Sequence, residues 1–117
     1  MPRRALRLAI VLTSALGLSG LSSPAHAQNF DTIQVRTVPV AGGVFMLMAA
    51  GGNIGVSAGT DGVFLVDDQY APLTEKIRAA IGAISSGPLR FVLNTHWHGD
   101  HTGGNENLGR ADRKSVV

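Results

Sequence analysis

Cysteine is absent from all 117 residues, and histidine is scarce, with four in all. The first absence removes disulfides, a lipid attachment site behind a leader, thiolate nucleophiles and thiolate metal ligands at once. Any metal chemistry must therefore use imidazole and carboxylate. Aromatic side chains are also few, one Trp, one Tyr and four Phe. No internal repeat or low-complexity tract is present. Apolar runs are short everywhere except Leu8 to Leu21, and that one lies in the first 27 residues.

Residues 1–27 have the make-up of a cleavable signal peptide. Arg3, Arg4 and Arg7 form a positive leader, Leu8 to Leu21 is the apolar segment, and Ala25-His26-Ala27 places small residues where a signal peptidase reads them. The expected cut follows Ala27, and the expected destination is the periplasm or the exterior. The alternative is a membrane anchor, but this run falls short of the roughly 20 apolar residues that span a bilayer. Arg3-Arg4 followed by Leu6 has a faint twin-arginine character, and such pairs also occur in ordinary signals, so both export routes stay open.

Without the leader, seven Lys or Arg stand against eight Asp or Glu. The basic pI of the whole sequence owes much to the leader, and the remainder offers no basic surface for nucleic acid or anionic membrane. No membrane association is expected after cleavage. Ninety residues can form one small domain, marginal by itself because a chain of this length buries a modest share of its surface.

Ile33 to Val40 alternates with period two and carries Pro39, which predicts an edge strand. Val44 to Ala49, Ile54 to Ala58 and Val63 to Val66 are apolar runs of strand length. Gly51-Gly52-Asn53 and Gly59-Thr60-Asp61-Gly62 separate them as turns, which predicts an antiparallel meander. Gly51, Gly52 and Gly55 lack the GxGxxG spacing and the following helix of a dinucleotide loop, so they read as turn glycines. From Pro72 the period becomes helical, with Leu73, Ile77, Ala80, Ile81 and Ile84 on one face and Glu75, Lys76 and Arg78 turned away. Ser85-Ser86-Gly87-Pro88 ends that helix, and Leu89 to Leu93 is a further strand leading into Asn94-Thr95-His96. The expected fold class is α/β, a mixed sheet covered by at least one helix.

Three of the four histidines, His96, His98 and His101, fall within six positions beside Asp100 in the stretch THWHGDHTGGN. If Phe91 to Thr95 is extended, His96 and His98 project to one side and can share an ion. Gly99 then lets the chain turn so that Asp100 and His101 come round. Nitrogen and carboxylate donors suit zinc, with iron or manganese as further possibilities. The plainer reading is a polar loop with local hydrogen bonds, which three histidines in six residues with an aspartate make the weaker one. Trp97 between the histidines either lines an approach to the site or packs against the sheet.

His96-Trp97-His98-Gly99-Asp100-His101 resembles the HxHxDH signature of the metallo-β-lactamase superfamily, and the similarity extends upstream over about Ile33 to Gly109. That resemblance implies the N-terminal βα half of a four-layer αββα sandwich. It implies that His96 and His98 belong to one zinc site and Asp100 and His101 to an adjacent one, with two Zn2+ ions in the intact protein and Asp100 in the catalytic centre. The activity implied is that of a zinc-dependent hydrolase in which metal-bound hydroxide attacks a lactam, ester or thioester carbonyl. Asp67 matches the family's acidic position beside the metal centre, where it would orient a ligand histidine. The alternative is that Asp67 or Asp68 only begins the turn before Tyr70. Two other readings are a non-catalytic metal-binding or interaction fragment and an iron-dependent oxygenase of sulfur compounds on the same scaffold.

The expected domain part is residues 28–110, and the family's remaining ligands have no counterparts in the sequence. Residues 111–117, with Asp112-Arg113-Lys114-Ser115 where a buried strand is expected, read as a frame-shifted or foreign tail on a truncated domain. An open continuation in another frame, encoding further histidines and an acidic ligand, would support this reading, and a natural stop in an intact gene would refute it.

Overall fold

The computed structural model describes residues 27–112; the expected leader up to His26 and the tail from 113 lie outside the described residues. One five-stranded sheet runs in the order β1 (Arg36–Ala41), β2 (Val44–Met48), β3 (Ile54–Gly59), β4 (Gly62–Val66) and β5 (Leu89–Leu93). The first four strands pair antiparallel in sequence order, as short glycine-containing links require. β5 joins β4 in parallel through the helix α1 (Thr74–Ile84), because parallel neighbours need a crossover long enough to return the chain to the same end. The result is the expected mixed sheet with a helix against it.

The core lies between one sheet face and α1. Leu47, Ile54, Val56, Val63, Leu65 and Val92 from the strands meet Leu73, Ile77 and Ile81, and all are buried. Leu108 closes the edge of this layer from α3 (Asn105–Asp112). The other sheet face is open: Phe64 and Phe91 are paired across β4 and β5 with rings 5.2 Å apart, and Val66 and Leu93 beside them are exposed.

Three features differ from the reading of the sequence. The first strand begins at Arg36 and not at Ile33, because Phe30–Thr32 forms a 3-10 turn capped by the Asn29 side chain, which accepts from the Asp31 N–H at 3.0 Å. Lys76 is not turned to solvent. Its ammonium donates to the carbonyls of Phe30, Asp31 and Ile33 at 3.0, 2.7 and 2.8 Å, closing that turn against α1. Pro39 does occupy an edge strand, where its missing N–H costs no ladder bond, and the pairing slips between Pro39 and Ala41. The third difference is at the far end of β5. The strand stops at Leu93, and Gly99–Thr102 forms a single helical turn, α2, followed by α3, which reaches Asp112 across the expected boundary at residue 110.

Candidate metal centre

The site grows from the carboxyl ends of the two parallel strands, where β4 and β5 release their chains side by side. Asp67 follows β4 directly, with its N–H donating to the Leu93 carbonyl at 2.7 Å and its φ at 65°. That turn out of the ladder points the Asp67 carboxylate at the segment leaving β5. Oδ1 accepts from the Thr95 N–H at 2.7 Å and Oδ2 from the Thr95 hydroxyl at 2.8 Å. Oδ2 also lies 2.7 Å from Nδ1 of His101. Asp67 is 3% exposed, so these bonds replace its water.

The electrostatics follow from this geometry. Burial pushes the Asp67 carboxyl up, but the bonds from His101 and from the N–H and hydroxyl of Thr95 together outweigh it and hold the group below the usual carboxylate range. The same pairing with Asp67, helped by the Asp100 charge and opposed by burial, raises the His101 imidazole. Because an ionised carboxylate only accepts, Nδ1 of His101 carries a proton, and in the neutral imidazole the lone pair is therefore on Nε2. That Nε2 stands 3.4 Å from Oδ2 of Asp100.

His96 and His98 are brought together by a bend after β5 and not by continued strand alternation. Their ring centroids are 4.7 Å apart, and the His96 ring is 4.0 Å from that of His101. His98 caps α2, whose one turn carries Asp100 and His101 back over the strand ends; the Thr102 hydroxyl holds the turn by donating to the His98 carbonyl at 3.1 Å. Among the described residues no three His, Cys, Asp or Glu side chains close on one point as a ready metal cage. What is present is a cluster of imidazole and carboxylate donors, the kinds of group that could hold zinc, with Nδ1 of His101 bonded to Asp67. Trp97 is 83% exposed with its ring edge-on to His98 at 4.6 Å, so it packs on the site and not against the sheet.

Three residues to which the sequence reading gave no part in the site hold this arrangement. Gln69 is fully buried and donates its amide to the Gly52 carbonyl while accepting from the Gly51 N–H, which fastens the β2–β3 loop over the cluster. A Cβ at Gly52 would lie 2.4 Å from Cε1 and 2.7 Å from Nε2 of His101, so this turn glycine is also the wall beside the imidazole. Asp68, also buried, accepts from the Gly104 N–H at 3.0 Å and fixes the start of α3, while its Oδ2 has no partner among the described residues. Burial lifts the Asp68 carboxyl to about 6, with the Gly104 bond opposing and the Asp67 charge adding. The spacing pattern carries no signal for Gln69, because a glutamine before Tyr70 resembles any turn residue until its loop partner is known.

The family model described as the metallo-beta-lactamase superfamily matches residues 47–117. Among solved structures, the class B3 di-zinc metallo-β-lactamase LRA-12 from an Alaskan soil metagenome is similar with a TM-score of 0.67 and 17% identity, over 80% of this chain and 36% of that one. BJP-1, a subclass B3 metallo-β-lactamase of Bradyrhizobium japonicum, gives 0.65 and 23% over 74% of this chain and 33% of its own. The Rm3 metallo-β-lactamase gives 0.62 and 27% over 68% and 30%. The chain thus spans about a third of the length of these relatives. No curated protein matches it. With the mixed sheet, the strand-end cluster and the family match over most of its length, the chain belongs to the metallo-β-lactamase superfamily.

Proposed function

We propose that the chain carries the first part of the zinc centre of an exported hydrolase that opens a lactam, ester or thioester carbonyl of a small molecule. The observation that carries this reading is the ordering of His101, whose Nδ1 is tied to Asp67 while Nε2 turns toward Asp100 and the His96 ring. His96 and His98 would hold one Zn2+, and Asp100 and His101 the other. Bound zinc supplies Lewis acidity and water at a lowered pKa, which is the chemistry carbonyl hydrolysis needs. The chain's own residues orient the imidazoles, and the Gln69-fastened loop walls one side of the cluster. The solved relatives include a di-zinc enzyme, which supports zinc and a β-lactam among the candidate substrates. The leader in the sequence supports a periplasmic or secreted location.

A non-catalytic, metal-binding role for this chain alone is favoured by one observation, that no three ligand side chains converge among the described residues. On that reading the 117-residue chain binds zinc weakly and turns over little substrate. Metal analysis with nitrocefin and a generic thioester, run on this chain and on a longer form carrying the rest of the domain, tests both readings. Zinc-dependent turnover in the longer form supports the hydrolase. Its absence with zinc bound supports the metal-binding reading, and native iron points to sulfur-compound oxidation.

A further inference from the structure

We propose that Thr95 is a positioning residue that sets the ring tautomer of His96, so that the single carboxylate of Asp67 orders histidines in both halves of the site. The inference rests on the reading of His96 as a metal ligand and concerns the chain's own proton arrangement.

The argument is a count of donors and acceptors along a short chain of contacts. Asp67 already takes the Thr95 N–H on Oδ1 and stands 2.7 Å from Nδ1 of His101 on Oδ2, so its carboxylate serves as the acceptor. The Thr95 hydroxyl at 2.8 Å from Oδ2 therefore donates its one proton to Asp67. With that proton committed, Thr95 Oγ1 is left with lone pairs alone toward its other neighbour, Nδ1 of His96 at 2.9 Å. Only a protonated Nδ1 makes a bond there, which leaves the lone pair of His96 on Nε2. On the other side, Asp67 takes the Nδ1 proton of His101 directly. In their neutral forms both imidazoles are thus ordered with Nε2 free, and their rings lie 4.0 Å apart.

Thr95 is suited to this because its backbone is fixed independently of its side chain. Its N–H donates to Oδ1 of Asp67 at 2.7 Å, and that bond survives any substitution other than proline. A neutral imidazole that meets only water prefers the Nε2–H form, which would point a proton at the place a metal must occupy. A hydroxyl at position 95 reverses the preference; an isosteric methyl does not.

The test reads the tautomer without metal, in the full 117-residue chain at mildly alkaline pH, by the nitrogen chemical shifts of labelled histidine. In the parent and in Thr95→Ser, His96 is expected as Nδ1–H. In Thr95→Val it shifts toward Nε2–H, while the His101 Nδ1–H signal bonded to Asp67 stays in place and reports an intact fold. Zinc affinity in Thr95→Val falls about 10- to 100-fold, as for other groups that orient a ligand histidine, and Thr95→Ser restores it. A parent His96 already in the Nε2–H form overturns the proposal even if Thr95→Val does not fold, and so does a Val variant with an unchanged tautomer. A changed tautomer with unchanged zinc affinity upholds the relay and overturns instead the placing of His96 on the metal.

Discussion

Oδ2 of Asp67 stands 2.7 Å from Nδ1 of His101 across 34 residues of sequence, joining the end of β4 to the turn that follows β5. The same carboxylate takes both donors of Thr95. One buried group therefore anchors the segment that carries every candidate ligand.

Asp67→Asn removes this anchor, and the pH dependence follows from the two shifts. Asp67 is lowered in the fold, so its contribution is present above the ordinary 3.8 and is lost as pH falls through its folded value. His101 is raised, so its contribution is complete below the ordinary 6.5 and is lost as pH rises through its folded value. The deficit of the variant in urea unfolding is expected to be largest between those two values and to narrow on either side. Its zinc affinity falls about 10- to 100-fold through the misdirected imidazole.

Gly52→Ala puts a methyl group where the His101 ring lies. The ring is held by Asp67 and the loop by Gln69, so neither yields cheaply, and a cost of about 1–3 kcal/mol in stability is expected from overpacking. Titration with zinc should show the Asp100 and His101 half of the site weakened most. Gly99→Ala is the control, since a Cβ there meets nothing within 4 Å.

Asp68→Asn tests the unpartnered carboxyl oxygen. The folded chain holds its proton up to about pH 6, whereas the unfolded chain releases it near 3.8. The folded state thus binds more protons in that interval, and stability falls as pH rises through it. Asparagine keeps the acceptor for Gly104 and never ionises. The variant should match the parent near pH 4 and exceed it near pH 8, by no more than about 3 kcal/mol from 1.36 kcal/mol per unit, in urea unfolding followed by circular dichroism.

Leu93→Lys addresses the open sheet face bearing Val66, Phe64 and Phe91. An exposed apolar surface of this kind promotes self-association. Sedimentation should show less association in the variant, with unfolding free energy changed by less than about 0.5 kcal/mol because Leu93 lies outside the core. Leu65→Ala, on the face packed against α1, should cost about 2–5 kcal/mol.

The legible parts of this molecule were those written in local periodicity. Alternation and turn glycines placed β2 to β5 to within a residue or so, and helical spacing placed α1 with Leu73, Ile77 and Ile81 inward. The 3-10 turn at Phe30–Thr32 was hidden because its closure depends on Lys76, more than forty residues away. α3 was hidden because its sequence is polar, with Leu108 the buried apolar residue that ties it to the core.

For the site, the sequence by itself determined which side chains are on offer, since no cysteine and three histidines beside Asp100 leave imidazole and carboxylate as the available donors. It determined also that Asp67 ends a strand. Only the tertiary structure decided which donors face one another, because β4 and β5 become neighbours only once the α1 crossover has packed against the sheet face. That adjacency brings Asp67 to Thr95 and His101, and Gln69, from the same segment after β4, fastens Gly52 of the distant β2–β3 hairpin beside His101. The pattern of residues along a chain fixes what each side chain can do; the parallel pairing of two strands fixed which of them act together.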